Sequence, residues 1–124
     1  MRIFKTKFFS KWAKKEALTD KDLSAAVVEI EQGLIDANLG GDVYKKRVSI
    51  QGKGKRGGAR TVLAYKVENK AFFLFGYAKS VKANISSDEL KIAKKLASEM
   101  LGSTESELKK LLKAGALIEV KYYG

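Results

Sequence analysis

The spacing of apolar residues changes character along this chain: short alternation, helical spacing, alternation again, then helical spacing to near the end. Met1 to Lys7 alternates and predicts a short strand. Phe8, Phe9, Trp12 and Ala13 then fall at helical spacing over 8–17, with Lys11, Lys14 and Lys15 opposite. Thr19 has the character of an N-cap, and Asp20 and Asp22 suit the positive end of the helix it opens. In that helix Leu23, Ala26, Val27, Ile30 and Leu34 form one apolar face. Gly33 to Gly41 turns the chain from helix to sheet, with the break expected at Gly40-Gly41.

From Val43 to Tyr77 the pattern predicts a three-stranded meander over 43–51, 60–67 and 71–77, the last two joined by a turn at Glu68-Asn69-Lys70. In the first strand Tyr44, Lys46, Val48 and Ile50 share the core face, which puts Lys45 and Arg47 side by side on the open face. Phe72 to Phe75 runs without alternation, as expected of a central strand covered on both faces. Ser86 with Glu89 has capping-box spacing and opens a helix striped by Leu90, Ala93, Leu96, Ala97, Met100 and Leu101, stopped at Gly102. Thr104 with Glu107 repeats the device for a short helix that closes near Gly115. Ala116 to Tyr123 is β-prone, and predicts an edge strand or a segment completed by a partner. The fold class is α+β: a single domain over 1–124, with helices packed on one face of a small antiparallel sheet and a basic concave face on the other.

Charge sharpens this picture. The chain carries 25 basic and 14 acidic residues, a net charge of +11. Between Tyr44 and Val67 lie Lys45, Lys46, Arg47, Lys53, Lys55, Arg56, Arg60 and Lys66, with no acid among them. Single-sign charge around a glycine-rich turn calls for an anionic partner, and phosphate is the natural one. The chain has neither His nor Cys, which removes imidazole bases, disulfides and the usual transition-metal ligands, and agrees with a cytoplasmic location. No signal peptide and no membrane span are expected, because no run approaches 18 apolar residues.

Gly52-Lys-Gly-Lys-Arg-Gly57 spells G-x-G-x-x-G, but a strand-like segment follows where a dinucleotide site needs a helix, and no Gly-Lys-Ser/Thr completes a Walker loop. The better reading is a basic turn that lies along a phosphate backbone, its glycines allowing close approach. Lys45, Arg47 and Arg60 carry more chemistry. Two share a strand at i, i+2, and the third opens the neighbouring strand, so their side chains are expected to converge. In cleavage of RNA by a ribose 2′-OH, arginines would stabilise the phosphorane-like transition state and a lysine would move a proton. Phe8, Phe9, Trp12 and Phe72 to Phe75 are expected in the core, whereas Tyr44, Tyr65 and Tyr77 are open to base stacking or proton transfer. The sequence presents no paired catalytic carboxylates and no set of metal ligands.

The helical first half, Tyr44-Lys-Lys-Arg-Val48, the GKGKRGGAR turn, the meander and the closing helix together resemble the RelE/HigB toxins of type II toxin–antitoxin systems, over about residues 1–101. Gly57-Gly58 with Arg60 is most like the HigB-type branch; residues 102–124 stand as a C-terminal extension. The resemblance implies a ribosome-dependent mRNA endoribonuclease that acts in the ribosomal A site and is restrained by a cognate antitoxin. Carried over by position, Lys45, Arg47, Arg60 and Lys79 are the catalytic candidates, and Lys53, Lys55, Arg56 and Lys82 the RNA-binding ones. Ser80 stands where the family often has an arginine, and Asn84 to Ser87 holds no tyrosine. No cofactor or metal is implied, since attack by the 2′-OH needs none. Two other readings stay open: a ParE-like toxin that acts on gyrase without cutting RNA, and a non-catalytic RNA- or ribosome-binding module.

Overall fold

Residues 70–77 lie at the centre of the molecule, and each face of that strand enters a different core. The computed structural model describes residues 1–50, 54–66, 70–77 and 84–124, with the side chains of 54–57 outside the description. Its elements are β1 (Arg2–Thr6), α1 (Lys7–Lys15), α2 (Asp20–Glu31), β2 (Ala37–Gly40), β3 (Val43–Ile50), β4 (Gly54–Tyr65), β5 (Lys70–Tyr77), α3 (Ser87–Leu101), α4 (Glu105–Lys113) and β6 (Leu117–Val120). The six strands form one sheet in the order β2-β3-β4-β5-β1-β6. All neighbours are antiparallel except β1 and β5, whose parallel register pairs Phe4 with Phe72 and Lys5 with Phe73.

The α+β class holds, but the layering differs from expectation, because helices cover both faces of the sheet. On one face α1 and α2 bury Phe9, Leu23, Val27 and Ile30 against Ile3, Val48, Leu63 and Phe73. On the other, α3 and α4 bury Ala93, Ala97 and Leu108 against Phe4, Val43, Val62, Phe72 and Leu74. The unbroken apolar run of β5 is the reason. A strand with Phe72, Phe73 and Leu74 all buried has no side to give to water. The segment after Gly102 belongs to this arrangement: α4 lies on the second face, and β6 is an edge strand pairing Ile3 with Val120.

Local sequence signals account for most boundaries. Thr19, Ser86 and Thr104 each cap a helix, and Asp22, Glu89 and Glu107 return the bond to complete a capping box. Four expectations fail. Leu34 lies beyond the end of α2 and is exposed, and Phe8 is 73% exposed although Phe9 beside it is fully buried. The stretch after Gly33 contains a strand, β2, that its polar composition concealed; Gly40, Gly41 and Asp42, all at positive φ, reverse the chain from β2 into β3. β4 also starts six residues early, at Gly54, so much of the presumed turn is strand paired to β3. The expected turn at 68–70 falls largely outside the described residues.

Lys46 shows how tightly the first core is tied. It is 3% exposed, and its ammonium donates to Glu29 Oε1 at 2.6 Å and to the Leu34 carbonyl at 2.8 Å. A buried cation without its counter-ion is costly. Glu29→Ala is therefore expected to lower stability by about 2–3 kcal/mol in urea unfolding, and Lys46→Met to lower it by less. Glu107 gives a pH-dependent test. The Thr104 backbone N–H, then its hydroxyl, hold this carboxyl below its ordinary value. A depressed carboxylate contributes stability above its unfolded pKa, and that contribution disappears as pH falls through the folded value. The difference in melting temperature between wild type and Glu107→Gln should persist at neutral pH and shrink below about pH 4.

Candidate nucleic-acid interface

Antiparallel register sets the site. Arg47 of β3 lies directly opposite Arg60 of β4, and Lys45, two residues back on the same face, lies opposite Val62. Val62 belongs to the core under α3 and α4, so the three cations share that face of the sheet. This corrects the expectation of a helix-free basic face: the trio occupies a part of a helix-bearing face that α3 leaves open. With Asp36 and Lys46 they line a shallow pocket of about 210 Å³. Facing like charges cost stability in a cross-strand pair, and a visiting phosphate would offset that cost.

Two residues that the sequence did not single out hold the β3 members of the trio. Asp36, just ahead of β2, accepts the backbone N–H of Arg47 and donates its own N–H to the Lys45 carbonyl. It thus grips β3 on either side of Lys46 and places one carboxylate at the pocket wall. Asn84, ahead of α3, accepts from the Lys45 ammonium at 2.9 Å and fixes where that cation points. Both residues sit in stretches without periodicity, so only the register of β2 and the approach to α3 expose them.

The other candidates separate by location. Lys55 and Arg56 lie on β4 ahead of Arg60, with their side chains outside the description. Lys53, Lys79 and Lys82 fall outside the described residues. Tyr44 and Tyr65 are not available for stacking: their rings meet edge to face, 5.9 Å apart, in the α1–α2 core. Tyr77 pairs with Arg60 in register and is buried. Among the described residues no cluster of three or more acidic, His or Cys side chains is gathered, and no helix is long and apolar enough to cross a membrane.

A mostly antiparallel sheet with helices on both faces carries three cations that line one small pocket. Residues 1–120 match the family model described as the RelE toxin of the RelE/RelB toxin–antitoxin system, and the chain belongs to that family. It is thus the toxin of a toxin–antitoxin pair, and its partner is an antitoxin protein. The match runs through α4 and β6, the latter paired with β1 in the sheet. No curated protein matches the chain.

If the trio is held together against its own repulsion, removing one cation should relieve strain. Arg47→Ala is expected to leave stability unchanged or raise it by up to about 0.5 kcal/mol, while weakening retention of the protein on a phosphate-bearing resin at fixed salt.

Proposed function

We propose that this toxin is a ribosome-dependent mRNA endoribonuclease that stops translation by cutting mRNA in the A site of the cytoplasmic ribosome. The observation that carries the reading is the facing pair Arg47 and Arg60 with Lys45 beside them in one small pocket. A guanidinium offers paired N–H donors that suit the non-bridging oxygens of a phosphodiester, and two such groups stand opposite one another across this strand pair.

In the proposed step, the 2′-oxygen of the ribose attacks its adjacent phosphorus. The 2′-O–P bond forms, the P–O5′ bond breaks, the 2′-proton leaves to a base, and the departing 5′-oxygen takes a proton. Arg47 and Arg60 stabilise the negative charge that builds on the phosphorane-like transition state. In this reading Lys45, whose ammonium donates to Asn84 Oδ1, moves a proton. Lys79 is a further catalytic candidate, and Lys53, Lys55, Arg56 and Lys82 are the candidates to bind mRNA or ribosomal RNA. A HigB-type toxin is the branch this reading favours.

Primer extension on mRNA in a purified translation system, with wild type and Arg60→Ala, tests this directly. Wild type should cut at A-site codons only when ribosomes are present. Arg60→Ala should cut at least about 100-fold more slowly, as for loss of a transition-state donor, while still binding ribosomes. Intact mRNA with unaffected translation would overturn the proposal and favour gyrase as the target. Intact mRNA with stalled ribosomes would mark a binder without chemistry, and a parallel loss of binding and effect in Arg60→Ala would point the same way.

A further inference from the structure

The proposed cleavage needs two proton transfers, one from the attacking 2′-oxygen and one to the departing 5′-oxygen. These oxygens lie on opposite sides of phosphorus, so one side chain is poorly placed to serve both. The chain has no His to alternate between the two roles. Of the five residues that line the basic pocket, four are Lys or Arg, side-chain types that are cations near neutral pH and have no lone pair to offer a proton. The fifth is Asp36.

Hydrogen bonds sort the roles. The Lys45 ammonium donates to Asn84 Oδ1 at 2.9 Å, and an amide oxygen can only accept, so Lys45 is held there as a donor. Asp36 is held as an acceptor. Its Oδ2 takes the backbone N–H of Arg47, while its own N–H donates to the Lys45 carbonyl at 3.0 Å, so main chain and side chain are both fixed. Among the described residues the carboxylate forms no ion pair with the cations around it, and Oδ1 carries no hydrogen bond. Asp36 is exposed, so a ribose can reach it. Other acids in this half of the chain are engaged: Asp20 by Lys5, Asp22 by the Thr19 N–H and Glu29 by Lys46.

The geometry points to Asp36 as the general base of the cleavage, its Oδ1 taking the proton of the 2′-hydroxyl. As that proton leaves, a 2′-oxygen lone pair forms the bond to phosphorus. The P–O5′ electron pair departs with the 5′-oxygen, which takes its proton from the Lys45 ammonium. The products are a 2′,3′-cyclic phosphate and a 5′-hydroxyl; Asp36 ends as the neutral acid, Lys45 as the amine, and exchange with water resets both. This assignment rests on the RNA-cleaving reading and adds to it the identity of the base. It also gives a carboxylate a purpose in a pocket otherwise lined by cations.

Single-turnover cutting of a short message on ribosomes, followed from about pH 6 to about pH 8, tests the assignment with the full-length toxin. Aspartate as a residue type is ionised throughout this range, so the wild-type rate should stay level within about threefold. Asp36→Asn keeps an oxygen for the Arg47 N–H but cannot take a proton. At about pH 7 it should cut about 100-fold or more slowly, and its rate should climb about tenfold per pH unit as hydroxide replaces the missing base. Asp42→Asn, which removes a carboxylate at the β2–β3 turn outside the pocket, should match wild type. A message with sulfur in place of the bridging 5′-oxygen separates base from acid, because a thiolate leaves without a proton. Sulfur should restore cutting to Lys45→Met and leave Asp36→Asn slow. A wild-type rate in Asp36→Asn, or its rescue by sulfur, would overturn the assignment and leave the RNA-cleaving reading standing. So would a wild-type rate that itself climbs about tenfold per pH unit, a measurement that needs no variant to fold. A message that wild type leaves uncut would defeat the RNA-cleaving reading and the base with it.

Discussion

The burial of β5 on both sides is the constraint from which the rest of this structure follows. Phe72 and Leu74 enter one core and Phe73 the other, and β1 repeats the division with Phe4 and Ile3. Phe4 stacks on Phe72 at 4.9 Å, and Phe9 meets Phe73 at 5.2 Å, so each core is anchored on an aromatic pair that includes a β5 side chain. Truncating a buried phenylalanine costs about 3–5 kcal/mol, a large part of the roughly 5–15 kcal/mol margin of a typical domain. Two helix layers are needed because one would leave half of this strand in water.

The same constraint sets the site at the side of the sheet. On the face that carries the trio, α3 packs chiefly on β4 and β5 and only lightly on β3, whereas α2 covers β3 from the opposite face. Cations there gain room for an anion without having to be desolvated in a core. Lys46 is the instructive contrast. It sits between Lys45 and Arg47, yet it faces the other way, pairs with Glu29 and acts as a structural cation. Strand alternation sends the Lys46 ammonium to Glu29 on one face and turns Lys45 and Arg47 to the other.

Much of this was legible in the sequence, and the failures have physical causes. The three capping residues were readable because a capping box is a local interaction with fixed spacing. Convergence of Lys45, Arg47 and Arg60 followed from alternation and a meander, both short-range patterns. The run Phe72 to Phe75 already pointed to cover on both faces, against the one-faced layering expected for the whole. Three features were not legible. β2 has too few apolar residues to signal a strand and forms because β3 offers its edge. Phe8 at helical spacing looks like core, but the groove it lines is made by a helix 80 residues later. Asp36 and Asn84 reach the site through tertiary register, which no periodicity encodes.

The chemistry of the cut ends tests the central claim most directly. If the trio serves attack by the ribose 2′-OH, mRNA recovered from ribosomes treated with this toxin should end in a 2′,3′-cyclic phosphate upstream of the cut and a 5′-hydroxyl downstream. Mapping those ends by mass spectrometry of a short defined message would show it. A 3′-hydroxyl with a 5′-phosphate would mean that water is the nucleophile and would contradict the account, as would a message that emerges uncut.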